Sequence, residues 1–384
     1  MKCKLSDICS FRKGKISVDG LNRSTYISTE NMLPNKCGIT EASSLPTVQL
    51  TQEYKKGDVL VSNIRPYFKK IWKATYDGGC SNDVLVFAAN SNTDKDFLYY
   101  ILANDDFFAY SMATSKGTKM PRGDKTSIMQ YEVPVMDIEL QRRIASILKS
   151  IDEKIELNNA INNNLEQQAM ALFKSWFIDY EPFDGQVPST WKYGVLGDFV
   201  EIKRGGSPRP IQNFLSDSGL HWLKISDATG ISSPFISEIK EYIIEEGLKK
   251  TVFLKAGSLV LSNSATPGLP KILDIDTCIH DGWLYFPSSK FSNEYLYLYF
   301  NHIRDNLVAL GNGSVFTNLK TDILKNYPTN LPTDEVLNEF DKIMKPIFSM
   351  ILSTTRESKR LTEIRDTLLP RLMSGELDVS DLDL

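Results

Sequence analysis

An unbroken heptad pattern in the middle of the chain constrains the fold more than any other feature. Between residues 138 and 178 the inward positions alternate in steps of four and three, and neither Gly nor Pro interrupts them. This spacing is typical of a long helix that buries one stripe of side chains against another helix. Its central positions are polar, which costs stability but fixes the register of a helix pair. The stripe comprises Ile144, Leu148, Ile151, Ile155, Asn158, Asn162, Leu165, Ala169, Leu172 and Trp176.

The second helix is predicted by an internal repeat. Several short segments of the first third of the chain return in the same order in the second half, and Ser62-Asn63, for example, returns as Ser262-Asn263. The heptad positions return as well, since Ile144 and Ile155 correspond to Phe340 and Ile351. We therefore predict an α+β fold with a pseudo-two-fold internal repeat, in which two similar mixed α/β domains are separated by two long antiparallel coiled-coil helices.

Proline and glycine residues suggest where the domains end. Pro134 stands where a helix boundary is expected, and the first helix is followed by Pro182 and Gly185. Pro346 lies inside the second heptad stripe, where it is expected to bend the helix or shift its first turn. The predicted segments are domain 1 (residues 1–134), the central long helix (135–182), domain 2 (183–332), and the C-terminal long helix with its tail (333–384).

Charge and cysteine content restrict the possible classes of protein. The net charge of −4 argues against nucleic acid, but the acidic excess lies mainly on the helical segments, and domain 1 has more Lys and Arg than Asp and Glu. The five cysteines form no C-x-x-C pair, so neither a zinc site nor a disulfide framework is indicated. We expect no cofactor, no metal and no membrane span, and a cytoplasmic location.

Two loops of domain 1 place cations among aromatic, Gly and Pro residues. They are residues 63–73 and residues 115–125. Lys and Arg in such loops can bind phosphates, and Arg, Asn and Thr can reach base edges, although a solvated surface loop has the same composition. The candidate DNA-binding residues of domain 1 are Arg12, Lys13, Lys15, Asn63, Arg65, Tyr67, Lys69, Lys70, Lys116, Thr118, Lys119, Arg122 and Lys125. Those of domain 2 are Lys203, Arg204, Ser207, Arg209, Asn263, Lys271, Asn312, Ser314, Thr317, Asn318 and Lys320.

The ends of the two helices carry a family resemblance. The first helix ends in residues 171–177 (ALFKSWF) and the second in residues 368–377 (LLPRLMSGEL). With two variable domains between them, the chain resembles the specificity (S) subunit of bacterial Type I restriction-modification systems. The resemblance implies recognition of a bipartite, asymmetric site on double-stranded DNA, docking of two modification (M) methyltransferase subunits on the helices, and later addition of restriction (R) subunits. The candidate partner-binding residues are Phe173, Trp176, Phe177, Leu369 and Leu372.

No motif predicts that the chain is itself an enzyme. An Asn-Pro-Pro-Tyr-like methyltransferase motif, a phosphate-binding loop and H-E-x-x-H are all missing from the sequence. Two E-x-K tripeptides resemble those of nucleases but are common by chance. Two other classes stay open at this point: a scaffold whose domains bind proteins, and an endonuclease, which metal-dependent cleavage by the pure protein would reveal.

Overall fold

The computed structural model describes residues 2–311 and 319–379, and its internal contacts divide the chain into two units. Unit 1 combines Met1–Ile155 with Arg360–Leu384, and unit 2 is Glu156–Lys359. Each unit therefore contains one globular domain together with parts of both long helices. None of the described helices is both long enough and apolar enough to cross a membrane.

Unit 1 is built from short strands and short helices that precede the first long helix. The strands are β1 (Lys2–Lys4), β2 (Cys9–Phe11), β3 (Lys15–Ser17), β4 (Tyr26–Ile27), β5 (Leu50–Tyr54), β6 (Val59–Ser62), β7 (Ile71–Lys73), β8 (Gly78–Cys80), β9 (Val84–Ala89) and β10 (Glu132–Pro134). The helices are α1 (Leu5–Ile8), α2 (Lys95–Ala103), α3 (Asp105–Ala113) and α4 (Lys125–Ile128).

Two four-stranded sheets and one two-stranded ribbon organise unit 1. The first sheet has the antiparallel order β2-β9-β6-β7, and the second has the order β3-β5-β8-β4, with β4 parallel to β8. The ribbon pairs β1 with β10, so the strand at the start of the domain lies beside the strand that ends it. The apolar runs of β6 and β9 are buried against α2, which begins at an N-cap where Asp94 accepts from the N–H groups of Asp96 and Phe97.

Unit 2 begins within the first long helix. Its strands are β11 (Lys192–Val195), β12 (Val200–Arg204), β13 (Leu215–Ser216), β14 (Leu220–Leu223), β15 (Phe235–Ile236), β16 (Tyr242–Ile243), β17 (Val252–Leu254), β18 (Leu259–Ser262), β19 (Pro270–Leu273), β20 (Thr277–Ile279), β21 (Trp283–Ser289) and β22 (Pro328–Leu331). Its short helices are α6 (Leu196–Phe199), α7 (Ile225–Thr229), α8 (Asn293–Gly311) and α9 (Thr321–Lys325).

The sheets of unit 2 repeat the topology of unit 1. The order β12-β21-β18-β19 corresponds to β2-β9-β6-β7 and is extended by β15, while β11 and β22 form the matching ribbon. The repeat extends to single hydrogen bonds: Gly123 N donates to Asn63 O at 3.1 Å, and Leu319 N donates to Asn263 O at 2.7 Å. The predicted α+β fold with an internal repeat is confirmed.

The long helices are α5 (Ile138–Phe177) and α10 (Asp334–Ser374), and they pair in both units. In unit 2, Asn158 Nδ2 donates to Glu357 Oε2 at 2.8 Å and Asn162 Nδ2 donates to Thr355 Oγ1 at 3.2 Å. Residue numbers rise along one helix as they fall along the other, so the pairing is antiparallel, as predicted. The polar centre of the heptad stripe therefore consists of hydrogen bonds between the helices.

Proline does not divide α10. The helix is continuous from Asp334 through Pro346 to Ser374, so Pro346 does not end it. A proline inside a helix removes one N–H donor, but packing of the buried neighbours Met344 and Phe348 in the core of unit 2 offsets that loss.

The last turns of the two helices are anchored in different units. Phe173 and Phe177 of α5 are buried in the core of unit 2, and Leu369, Leu372 and Met373 of α10 are buried in the core of unit 1. In unit 1, a pocket beside the β1/β10 ribbon is lined by both Lys2 and Ser374. The end of α10 therefore lies close to the first strand of the same unit.

Candidate nucleic-acid interface

The two cationic loops of unit 1 lie side by side. Arg65 N donates to Pro121 O at 2.8 Å, and Lys116 and Arg122 exchange two backbone hydrogen bonds of 2.9 Å. Together with the bond from Gly123 N to Asn63 O, these contacts join residues 63–73 and residues 115–125 into one surface, which we call the basic loop pair. The sequence marked both loops as candidates but gave no indication that they touch.

Four of the eight cations of the basic loop pair, including Lys116 and Arg122, have a carboxylate partner among the described residues. Lys116 pairs with Asp124 and lowers the pKa of that carboxyl to about 2, and Arg122 lies 3.2 Å from Asp83. Lys69 pairs with Asp105 at 2.7 Å. The side chains of Lys116 and Arg122 are exposed, so a phosphate can replace the carboxylate as partner. Thr118, Lys119 and Lys125 are exposed as well, as are Lys13 and Lys15 nearer the N-terminus.

Two cations of domain 1 are engaged inside the fold. Arg12 donates through Nη2 to Oδ1 of the buried Asp58 at 2.7 Å, and its side chain is about three-quarters covered. Lys70 Nζ donates to Thr29 O at 2.6 Å, and burial lowers its pKa. The charged groups of Arg12 and Lys70 bind internal partners, so they are less available to bind a phosphate than those of Lys116, Lys119 and Arg122.

Asp281 brings the candidates of unit 2 together. Its carboxylate accepts from Ser207 Oγ at 2.7 Å and from Arg209 Nη2 at 3.1 Å. Its backbone carbonyl accepts from Arg204 Nε and from Asn263 Nδ2. The hydrogen bond from Ser207 and the nearby cations lower the pKa of Asp281. In the sequence repeat Asp281 corresponds to Asp83, which binds Arg122 in unit 1, so an acid orients an arginine at the matching place in both units.

A cleft of about 820 Å³ opens beside this cluster in unit 2. Trp222, Lys224, Ser264 and His280 line it together with Arg209. The ring of His280 is largely buried, and burial lowers its pKa. Trp222 and Lys224 were missed because neither belongs to a repeated segment.

Burial corrects two candidates of unit 2. Lys271 is only 2 % exposed, and its ammonium donates to the carbonyls of Ile231 and Ser233. Burial lowers its pKa to about 8, so this lysine is a core residue and not part of a DNA-facing surface. Asn263 is also buried, with its amide on the Asp281 carbonyl. Lys203, paired with Glu201, and Lys320 are exposed, whereas Asn312, Ser314, Thr317 and Asn318 lie outside the described residues.

The partner-binding candidates are corrected in the same way. Phe173, Phe177, Leu369 and Leu372 are buried within their own units, and Trp176 packs partly against the core of unit 2. Their apolar surface is used to anchor the helix ends, so it does not form a free docking surface. The exposed apolar side chains of the long helices are instead Leu157, Ile343, Met350 and Ile364.

No group of three or more His, Cys, Asp or Glu side chains among the described residues could hold a metal ion. What the clusters offer chemically is hydrogen bonding and positive charge.

Comparison with protein families decides the class of this chain. The model of the Type I restriction modification DNA specificity domain matches residues 1–167 and 188–364. The chain belongs to this family. It is thus the DNA specificity subunit of a Type I restriction-modification system, a non-catalytic member of the complex, and the scaffold and endonuclease alternatives are set aside.

Individual relatives cover most of the chain. The specificity subunit of the HindI enzyme of Haemophilus influenzae is 27% identical over 92% of this chain and 94% of its own length. That of MjaIX from Methanocaldococcus jannaschii is 26% identical over 75% and 70%. The crystal structure of the S subunit from M. genitalium has the same fold, with a TM-score of 0.61 and 16% identity over 99% of this chain and 96% of that one.

The basic loop pair makes a quantitative prediction about salt. Changing Lys116, Lys119 and Arg122 to Ala is expected to weaken binding of the specificity subunit to duplex DNA and to flatten its salt dependence. Each lost phosphate contact removes roughly 0.9 from the slope of log affinity against log salt. The measurement is the dissociation constant across a salt series. As a control of equal charge, Lys2, Lys4 and Lys192 on the two ribbons are changed to Ala, and the slope should stay that of the parent protein. If the triple loop variant keeps the parental slope, these residues form only a solvated surface loop and do not contact phosphates.

Proposed function

We propose that each unit reads one half of a bipartite, asymmetric DNA site, unit 1 through the basic loop pair and unit 2 through the cluster around Asp281. The observation that carries the proposal is a repeated backbone connection. The carbonyl of Asn63 accepts a hydrogen bond from Gly123 N, and the carbonyl of Asn263 accepts the corresponding bond from Leu319 N. The two units thus offer two equivalent surfaces with different side chains. Different side chains at equivalent positions are what an asymmetric site with two halves requires.

In this proposal residues 1–134 and residues 183–332 are the exchangeable recognition domains. The paired helices bind the partner subunits. Two modification subunits dock on the helices, each against exposed apolar positions such as Leu157 and Met350, and restriction subunits join the complex later. Exposed apolar side chains on otherwise polar helices support this assignment, because they lose contact with water when a partner covers them.

The test is methylome sequencing of a host that expresses this chain with its cognate modification subunit. The expected result is a single methylated motif with two defined halves and an unspecified gap between them. A continuous motif, or methylation without sequence preference, would contradict the assignment of one half-site to each unit. Expression of the modification subunit alone is the matched control, and it should leave the motif unmethylated.

A further inference from the structure

Unit 1 exposes a pair of aromatic rings at the tip of the basic loop pair. Tyr67 and Phe68 lie in a single 3-10 turn, Pro66–Phe68, and their ring centroids are 4.6 Å apart. Tyr67 is 49% exposed and Phe68 is 36% exposed. We call this pair the aromatic knuckle. Two adjacent aromatic side chains in solvent are unfavourable for an isolated domain, so the exposure needs an explanation.

The backbone holds the knuckle in place at some cost. The residues on either side of the turn, Arg65 and Lys69, have positive φ values of 52° and 49°, which side chains other than Gly seldom adopt. The turn is fixed on two sides by hydrogen bonds, from Asn35 N to Phe68 O at 2.8 Å and from Arg65 N to Pro121 O. The strained turn is thus a stable part of the fold and keeps both rings facing outward.

The surroundings of the knuckle are cationic. Arg65 and Lys69 flank the turn. The Lys70 ammonium, which is bound to the Thr29 carbonyl, is 5.8 Å from the centroid of the Phe68 ring. Lys119 and Arg122 lie on the adjoining loop, and Asp105 pairs with Lys69 at 2.7 Å. An apolar tip surrounded by cations matches a ligand that has an anionic surface and a planar apolar interior. Duplex DNA has both, in its phosphates and in its stacked bases.

We propose that the aromatic knuckle inserts into the base stack of the half-site that unit 1 reads, and opens one base step there while the surrounding cations hold the phosphates. Apolar side chains that wedge between bases are an established way of deforming DNA. The proposal rests on the proposed function, because it requires that unit 1 reads a half-site. It adds a specific mode of reading that depends on how easily a base step unstacks.

The matching loop of unit 2 carries no aromatic ring, which gives the proposal an internal control. This loop follows Asn263, and Ala265 there has a φ of 57°, close to that of Arg65. Residues 264–269, which connect β18 to β19, are Ser, Ala, Thr, Pro, Gly and Leu. The loop borders the cleft lined by Trp222 and His280. Unstacking that depends on the rings is therefore expected in one half-site only, whereas the base that each modification subunit methylates leaves the stack in both half-sites.

The test uses the complex of the specificity subunit with its modification subunits, bound to a duplex that carries the motif found by methylome sequencing. The fluorescent base 2-aminopurine is placed at each position of both half-sites in turn, because its emission rises several-fold when it unstacks. Apart from the methylated positions, which the modification subunits unstack in both half-sites, one step in the half-site of unit 1 should brighten. The double variant Tyr67→Ala, Phe68→Ala should lose that signal and bind roughly tenfold more weakly, as expected for lost base–ring stacking. Tyr67→Trp should retain the signal.

The outcomes separate the knuckle from DNA reading in general. Tyr193→Ala is the matched control, since Tyr193 is a 78% exposed aromatic of unit 2, and the signal should persist in it. A signal unchanged in the double variant, or absent while sequence-specific binding persists, would overturn the knuckle and leave the proposed function standing. Failure of every variant and of the parent complex to bind the duplex would overturn both. Loss of modification subunits from the double variant, with unchanged unstacking, would assign the rings to a protein contact instead.

Discussion

A hybrid chain with residues 1–134 taken from another specificity subunit is expected to direct methylation to a new site, with the donor's first half and this chain's second half. The expectation rests on the β1/β10 ribbon, which brings the start and the end of the exchanged segment side by side. A junction after Pro134 leaves that ribbon intact and inherits the basic loop pair as a whole. Methylome sequencing of a host expressing the hybrid with this chain's modification subunit measures the result, which is a complete change of one half-site.

The position of the junction provides a control for this exchange. A junction after residue 120 would place the donor's counterpart of Arg65 against Pro121 of this chain. The hydrogen bonds that connect the two loops would then join residues of different origin, so that hybrid should lose recognition of the first half. A donor domain must also pack against the buried side chains Ile144 and Leu148 of α5. A second hybrid, in which residues 138–155 and 360–379 are also taken from the donor, supplies the helix residues of the donor's own core. A folded hybrid that still reads both original halves would refute the domain assignment.

Replacing Asp152 by Ala is expected to lower the free energy of unfolding by about 2–4 kcal/mol. Asp152 on α5 accepts from Tyr100 OH of α2 at 2.8 Å and from Arg365 Nη1 of α10 at 2.9 Å. The Asp152 and Arg365 side chains are only 22% and 23% exposed. Removing the carboxylate leaves a largely buried guanidinium and a buried hydroxyl without this partner, and both lose water on folding. Urea unfolding followed by circular dichroism measures the change.

The neighbouring Asp366 is the matched control for Asp152. It also binds Arg365, with 2.9 Å between Nη2 and Oδ1, but its side chain is 54% exposed. Because solvent screens exposed ion pairs, Asp366→Ala should cost less than about 1 kcal/mol. Equal effects of the two substitutions would mean that the network of Tyr100, Asp152 and Arg365 does not join the three helices energetically. Asp152→Asn, which keeps an acceptor for Tyr100 but loses the charge, should fall between them.

The large-scale features of the fold could be predicted because they depend on periodicity and repetition. The spacing of Ile144, Leu148 and Ile155 requires a helix with one buried stripe, and the repeat of Ser62-Asn63 in Ser262-Asn263 identifies equivalent turns without any structural model. The central Asn158 and Asn162 were interpreted as residues that set register, and both hydrogen-bond across the helix pair.

The candidate site was less predictable, because residue type does not reveal which face of an element a side chain occupies. Lys271 looked like a DNA contact, yet it lies on an interior strand, where its ammonium binds two backbone carbonyls. Phe173 and Leu372 looked like docking residues, yet each completes the core of its own unit. The contact between residues 63–73 and residues 115–125 joins segments far apart in the chain, and no local pattern encodes such a meeting.

The short distance between the β1/β10 ribbon and the end of α10 has a consequence for how the chain can be connected. Lys2 and Ser374 line one pocket of unit 1, while residues 184–190, between α5 and β11, are largely exposed. A circularly permuted chain, opened at Gly185 and closed by a linker between the present ends, would therefore keep the secondary structure of both units. Such a chain would present domain 2 first and domain 1 last. The order in which the two domains are translated is thus a property of the gene and not a requirement of the fold.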